Sequence, residues 1–308
     1  MLRCRPFLLG LSSLVLSLSG CSGAIGAGSG SSGGKPTIVI GSTNFSEQLV
    51  VAELYAQALE ANGYPITRKF NLGSREIVAP ALASGQIDMY PEYLASYLTF
   101  LTNDETKASP DPTKTYSALQ EAVKAKSIAA LQYAPAQDQN GFAVTKATAD
   151  KHTLSKLSDL AALNGQLVLG GPPECPQRPF CQQGLEKVYG LRFKDFKALD
   201  TGGPITVGAL QAGQIDVGEL FTSDPAIRAN GFVLLQDDRG LQLSDNLVPV
   251  VRTAILDQAP SGFAAIVNGV SAKLTTAELT ELNRQVGVDK KDPKDVAGPW
   301  LKAQGLAG

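Results

Sequence analysis

The side chains best placed for chemistry follow a sequence that occurs twice. Ala81-Leu82-Ala83-Ser84-Gly85-Gln86-Ile87-Asp88 returns 128 residues later as Ala209-Leu210-Gln211-Ala212-Gly213-Gln214-Ile215-Asp216, with six of eight positions identical. The first copy runs into Met89-Tyr90-Pro91-Glu92-Tyr93 and the second into Val217-Gly218-Glu219-Leu220-Phe221-Thr222-Ser223-Asp224. Asp88 and Glu92 are close in sequence, but strand ends and helix starts often carry carboxylates, and no convincing catalytic set accompanies them. The single histidine, His152, lies in the polar stretch Asp150-Lys151-His152-Thr153 and reads as a solvated surface residue. One histidine makes a His-based metal site or a Ser-His-Asp triad hard to build. Gly170-Gly171 after a strand is no dinucleotide fingerprint, and no Walker-type Gly-Lys-Ser/Thr occurs. These residues suit binding better than turnover, with no metal and no cofactor expected.

The elements that must position them read as α/β. Each copy of the repeat is an apolar helix end, a glycine stop and a short strand, and ligands of open α/β sheets bind beyond the C-terminal ends of strands. The first lobe opens with the strand Thr37–Gly41. A helix follows with Asn44 as N-cap and Glu47 three residues on, then the strand Ile66–Phe70, a helix from Gly73-Ser74 to Ser84, and the strand Ile87–Met89. This β-α-β-α-β order predicts parallel strands with right-handed crossovers. Tyr90–Leu101 reads as a helix with Tyr93, Tyr97 and Phe100 on one side, and Tyr116–Lys126 as another. After the strand Ile128–Tyr133 and the loop Ala134–Asn140, Gly141–Thr145 crosses into a second lobe. That lobe repeats the plan: the strand Gln166–Leu169, the helix Phe180–Tyr189, the strand Phe193–Leu199, the helix Thr206–Ala212 and the strand Ile215–Val217. Val248–Arg252 is the return crossing. A capping box at Thr275 and Glu278 and a proline start at Asp292-Pro293 open two closing helices.

The bulk numbers agree with two domains. The 308 residues are 44% hydrophobic and 18% charged, with net charge −2, which describes a globular chain. No Lys/Arg run is present, so nucleic acid is not an expected partner. Residues 1–21 read as a targeting segment: Arg3 and Arg5 are the positive region, and Phe7–Leu18 is apolar but too short to span a bilayer. Leu18-Ser19-Gly20-Cys21 resembles the lipobox of bacterial lipoproteins, which implies cleavage before Cys21 and lipid on that residue. Losing Arg3 and Arg5 leaves 25 basic against 29 acidic residues. Residues 22–35 are a Gly/Ser-rich tether whose Ser22–Gly34 stretch spans roughly 20 Å on average. In an exported chain Cys175 and Cys181, six apart and flanked by Pro176 and Pro179, read as a local disulfide stiffening Pro176–Phe180. The spacing is not Cys-x-x-Cys, and further metal ligands are not near in sequence.

Several segments carry a family resemblance. Gly41-Ser42-Thr43-Asn44-Phe45-Ser46-Glu47-Gln48 and Gly85-Gln86-Ile87-Asp88-Met89-Tyr90-Pro91-Glu92-Tyr93 resemble blocks of the osmoprotectant-binding proteins of ABC importers. So do Gly171-Pro172-Pro173-Glu174 with Arg178, Gly184-Leu185, Tyr189-Gly190-Leu191, Pro249-Val250-Val251-Arg252 and Leu282-Asn283-Arg284-Gln285-Val286. The resemblance implies a bilobal periplasmic-binding-protein fold of type II-like plan. Two parallel-sheet lobes, 36–143 plus 249–308 and 144–248, would be joined by two hinge crossings and close on a ligand. It implies a monomeric, lipid-anchored protein facing the periplasm or envelope exterior, whose partners are a small solute, a permease and an ATPase. The ligands implied are glycine betaine, choline, carnitine or proline betaine. Matched positions imply ligand contacts from Thr43, Asn44, Phe45, Tyr90, Tyr93, Ser96, Asp138, Asn140, Phe221 and Thr222, with Arg178 on a carboxylate. A quaternary ammonium has no N–H to donate and relies on aromatic faces; a carboxylate suits an arginine fork. The chain departs from the family at Thr43, where lysine is common, and at Phe221 and Asn140, where tyrosine is. Those departures leave open a different, more polar or larger neutral solute. A sensory binding protein and an exported enzyme on the same scaffold are the other readings.

Overall fold

A computed structural model describes residues 34–259 and 261–306. The signal segment, Cys21 and the tether up to residue 33 lie outside the described residues. Among those described, no helix is long and apolar enough to cross a membrane.

The chain runs β1 (Ile38–Gly41), α1 (Ser46–Ala61), β2 (Ile66–Lys69), α2 (Arg75–Ala83), β3 (Met89–Tyr93), α3 (Leu94–Thr102), α4 (Pro112–Lys124) and β4 (Ile128–Ala130). It continues through β5 (Asn140–Val144), α5 (Lys146–His152), β6 (Val168–Gly171), α6 (Gln182–Tyr189), β7 (Asp195–Ala198), α7 (Pro204–Gln211), β8 (Val217–Phe221), α8 (Pro225–Ala229) and β9 (Val233–Leu234). β10 (Leu247–Arg252), α9 (Thr253–Gln258), α10 (Phe263–Lys273), α11 (Thr276–Asn283) and α12 (Pro293–Ala303) complete it. Two five-stranded sheets result, ordered β2-β1-β3-β10-β4 and β7-β6-β8-β5-β9. β1 is parallel to β2 and β3, and β6 to β7 and β8, as the βα alternation requires. Each sheet is mixed, because the fourth strand is the one that follows a crossing: β10 is antiparallel to β3 and β4, and β5 to β8 and β9. This pairing carries all of β5 into the second sheet and all of β10 into the first. The expected lobe limits at 143/144 and 248/249 therefore fall inside strands, and the crossings precede them.

The repeat does the same structural job twice. Gly85 and Gly213 take positive φ, 77° and 65°, where a glycine stops a helix without steric cost. Asp88 and Asp216 then each accept the N–H of a strand residue, Val39 and Val168, both at 2.8 Å. Ile87 and Ile215 fill the space that Gly41 and Gly170 leave by lacking a Cβ, which would come within 2.5 and 2.7 Å of their Cδ1 atoms. Helix, strand and loop are thereby locked in one relation in both lobes.

Three local expectations change. Tyr90–Tyr93 continues the strand from Met89 and does not start a helix, because β10 supplies an antiparallel partner with Val248 opposite Glu92 and Leu247 opposite Tyr93. The prolines Pro91 and Pro249 face each other there, so the missing donors share one rung. Asn44 does not cap α1: extended Phe45 holds the cap position with no side-chain bond, and Glu47 turns inward instead of reaching back. His152 is half-buried at the end of α5, a helix that the polar sequence did not announce. Thr275 accepts the Glu278 N–H and Asp292 the Lys294 N–H, as expected of caps. α1 is buried along most of its length between the first sheet and α10–α12, through Leu54, Tyr55 and Leu59 against Phe263, Val267 and Trp300. Each such fully buried apolar side chain contributes about 1.5–3 kcal/mol.

Candidate functional site

The C-terminal ends of β3 and β8 and the segment before α1 converge on one cleft of about 620 Å³, a volume typical of small-molecule sites. Phe45 enters from the turn before α1, Tyr93 from the end of β3 and Phe221 from the end of β8. Their rings form a row: Phe45 and Phe221 are 5.0 Å apart at 24°, Phe45 and Tyr93 6.4 Å apart at 19°. The row joins the lobes, since β3 and β8 belong to different sheets.

Behind the rings lies a buried polar seam. Glu47 accepts the Tyr93 hydroxyl at 2.6 Å and the Ser223 hydroxyl at 2.9 Å, and also the Asn283 amide. Asp138 Oδ1 accepts the Ser223 N–H at 2.9 Å and the Thr222 hydroxyl at 3.3 Å, while Oδ2 is buried without a hydrogen-bond partner. Burial raises the pKa of both carboxyls, with Asp224 adding to the rise of Glu47 and Glu47 to that of Asp138, against the pull of those hydrogen bonds. Burial, with Glu47 and Asp138 close by, also holds the Tyr93 phenol well above its ordinary range. Further along the wall, Asp245 accepts the Ser96 N–H at 2.8 Å and its hydroxyl at 2.6 Å. Burial lifts Asp245 to about 6, although those two bonds pull it down.

Two arginines line the cleft and each already grips a carboxylate. Arg75, at the start of α2, forks onto Glu92 with two bonds of 2.8 Å, and Glu92 also accepts the Tyr90 hydroxyl at 2.9 Å. Arg178 reaches across to Glu76, with Nη2 at 3.0 and 3.2 Å from its two oxygens. Lys187 pairs with Glu105 across the same gap.

Of the residues expected here, Phe45, Tyr93, Ser96, Asp138, Asn140, Arg178 and Phe221 line the cleft. Tyr90 does not: it is fully buried in the first lobe's core, because residue alternation along β3 turns it away from Tyr93. Thr43 is buried at the end of β1 and is not part of the wall. Asn44 is exposed and lines a second cavity of about 510 Å³ that shares Phe45, Thr201 and Phe221 with the first. Thr222 does not line the cleft: it is exposed, bonded to Gln139 and Asp138, and lines a separate surface pocket. Arg75, Glu76, Thr201, Phe180 and Asp245 are among the other wall residues, none of which the sequence marks as a ligand contact. Of these, Glu76 and Arg75 stood in plain view at the start of a helix that follows a strand, the usual place for site residues.

The expected disulfide is present: Cys175 and Cys181 are joined. It brackets the segment that delivers Gln177, Arg178, Pro179 and Phe180 to the cleft. Glu219 lies beside it, the one cluster of potential metal ligands among the described residues, but both sulfurs are bonded to each other.

Two α/β lobes with hinge strands and an aromatic, hydrogen-bonding cleft between them define a solute-binding protein. The chain belongs to the OpuAC family, the substrate binding domain of ABC-type glycine betaine transport systems, which residues 36–303 match. The family is one of transport proteins and not of enzymes. The chain is 28% identical over 277 residues to the glycine betaine-binding protein YehZ of Escherichia coli, spanning 87% of this chain and 90% of that one. It is 26% identical to a glycine-betaine-binding protein of Pseudomonas aeruginosa, over 93% of each. A crystal structure titled glycine betaine/carnitine/choline ABC transporter superposes with a TM-score of 0.69 at 26% identity, covering 88% of this chain and all of the other.

Proposed function

We propose that this chain is the extracytoplasmic solute-binding component of an ABC importer, capturing a quaternary-ammonium osmoprotectant of the glycine betaine, choline or carnitine type. The observation that carries this reading is the row of Tyr93, Phe45 and Phe221, drawn from both lobes onto one cleft. Ring faces attract a cation that has no N–H to offer, by about 0.5–2 kcal/mol each. A site split between two lobes ties binding to closure about the crossings before β5 and β10. The closed form would then be presented to a permease and its ATPase. Residues 1–20 act in this reading as a cleaved signal, Cys21 carries the lipid, and the Gly/Ser tether lets a monomer work at the membrane surface.

Thermal unfolding of the full chain with glycine betaine, choline or carnitine tests the reading. A solute present at about a hundred times its Kd stabilises by about 2.7 kcal/mol, or about 5 °C or more at this size. An unmoved midpoint with all three at millimolar concentration contradicts it.

A further inference from the structure

The charges of the cleft are unevenly matched. Its lining carries two arginines, Arg75 and Arg178, against Glu76, Glu105, Asp138 and Asp245. Arg75 is committed to Glu92, a carboxylate with only 1% of its side chain exposed. Arg178, which would otherwise be the cation available to a ligand carboxylate, is held by Glu76 from the opposite lobe. Glu105 is met by Lys187. Asp138 and Asp245 form no salt bridge among the described residues, and Asp138 keeps a buried oxygen with no hydrogen-bond partner. Among the described residues the cleft thus offers no arginine free to meet a ligand carboxylate.

From this we infer that Glu76 is a specificity residue. It occupies Arg178 as a resident carboxylate, so the cleft favours a solute with net positive charge and no carboxylate over a zwitterion. The inference rests on the solute-binding reading of the cleft given above. A zwitterion's carboxylate must displace Glu76 from Arg178 and then lie against it, whereas a choline-like cation leaves the ion pair intact. Burial works against the charge of Glu76, but Arg178 and a bond from Ser74 prevail and hold it down to about 2, so it stays ionised over the whole range of interest.

The test is a calorimetric comparison of choline with glycine betaine on the full chain, on Glu76→Gln and on Glu76→Gln with Arg178→Gln. The wild type is expected to bind choline about tenfold or more tighter, the scale set by a like charge facing a ligand carboxylate. Glu76→Gln frees Arg178 and shrinks that preference about tenfold, mainly by tightening betaine binding; the double variant loses that gain. Glu76 is partly exposed, so its removal leaves the core untouched. Were the pair merely a tie between lobes, Glu76→Gln would move both affinities together, and a constant ratio overturns the proposal. So does a wild type that prefers betaine. Failure of the wild type to bind either solute is a different result: it removes the osmoprotectant reading itself, and this inference with it.

Discussion

Glu219 offers a test of the electrostatics behind the second lobe's half of the cleft. It sits on β8 with 2% of its surface exposed, against Gly171 and the disulfide, and its Oε2 has no hydrogen-bond partner. Burial raises its pKa from 4.5 to about 7; Arg178 pulls it down and Glu174 pushes it up. In the unfolded chain the group ionises near its ordinary value. The folded state therefore holds a proton that the unfolded state has lost across the window from about 4.5 to 7, and stability falls as pH rises through it. At 1.36 kcal/mol per pKa unit, the loss is about 3 kcal/mol once pH exceeds 7. Glu219→Gln keeps the shape of the protonated acid and does not titrate. Urea denaturation of both proteins at pH 5, 6, 7 and 8 isolates the effect as their difference. The variant should match the wild type to within about 1 kcal/mol at pH 5, and exceed it by about 3 kcal/mol at pH 8. Asp224 and Asp245, both raised to about 6 by burial, tilt the two curves equally and cancel in the difference. A difference that does not change with pH refutes the reasoning.

Two further predictions concern the segment that presents Arg178. A Cβ on Gly184 would lie 2.1 Å from the Pro179 carbonyl oxygen and 2.3 Å from Leu241 Cδ1, so Gly184→Ala should cost about 1–3 kcal/mol in urea denaturation; a neutral effect would show that the helix–loop contact is slack. Replacing Cys175 and Cys181 together by serine opens the short covalent loop, and the urea midpoint should fall by an amount equivalent to about 2 kcal/mol. An unchanged midpoint would mean that the prolines and helix contacts alone hold the segment.

How far the sequence could be read follows from the range of the interactions. The repeated Gly-Gln-Ile-Asp announced two like lobes because its main jobs, a helix stop and a strand start, are local. Its aspartates also bond to strands about 50 residues away (Asp88 to Val39, Asp216 to Val168), which spacing could not show. β3 is a strand where the aromatic spacing suggests a helix, because pairing with β10, which arrives late in the chain, overrides that spacing. Glu47 looked like the partner in a capping box, a local role, when tertiary contacts with Tyr93, Ser223 and Asn283 had claimed it. Asp245 lies in a loop with no pattern of its own and acquires its place only through Ser96. Arg178 was legible as a cleft residue, but its partner Glu76 lies 102 residues earlier in a different lobe. Local motifs thus named much of the aromatic wall, while the charge pairings around it came from contacts across the fold.

One titration is the most direct test: calorimetry of the full chain and of Phe45→Ala with choline and glycine betaine. Phe45 is the middle ring of the row and touches both lobes. An osmoprotectant site built on this row should bind at least one solute near ~1 μM, about −8 kcal/mol, and lose about tenfold when the ring is removed. Binding that Phe45→Ala leaves unchanged, or no heat from either solute, would contradict it.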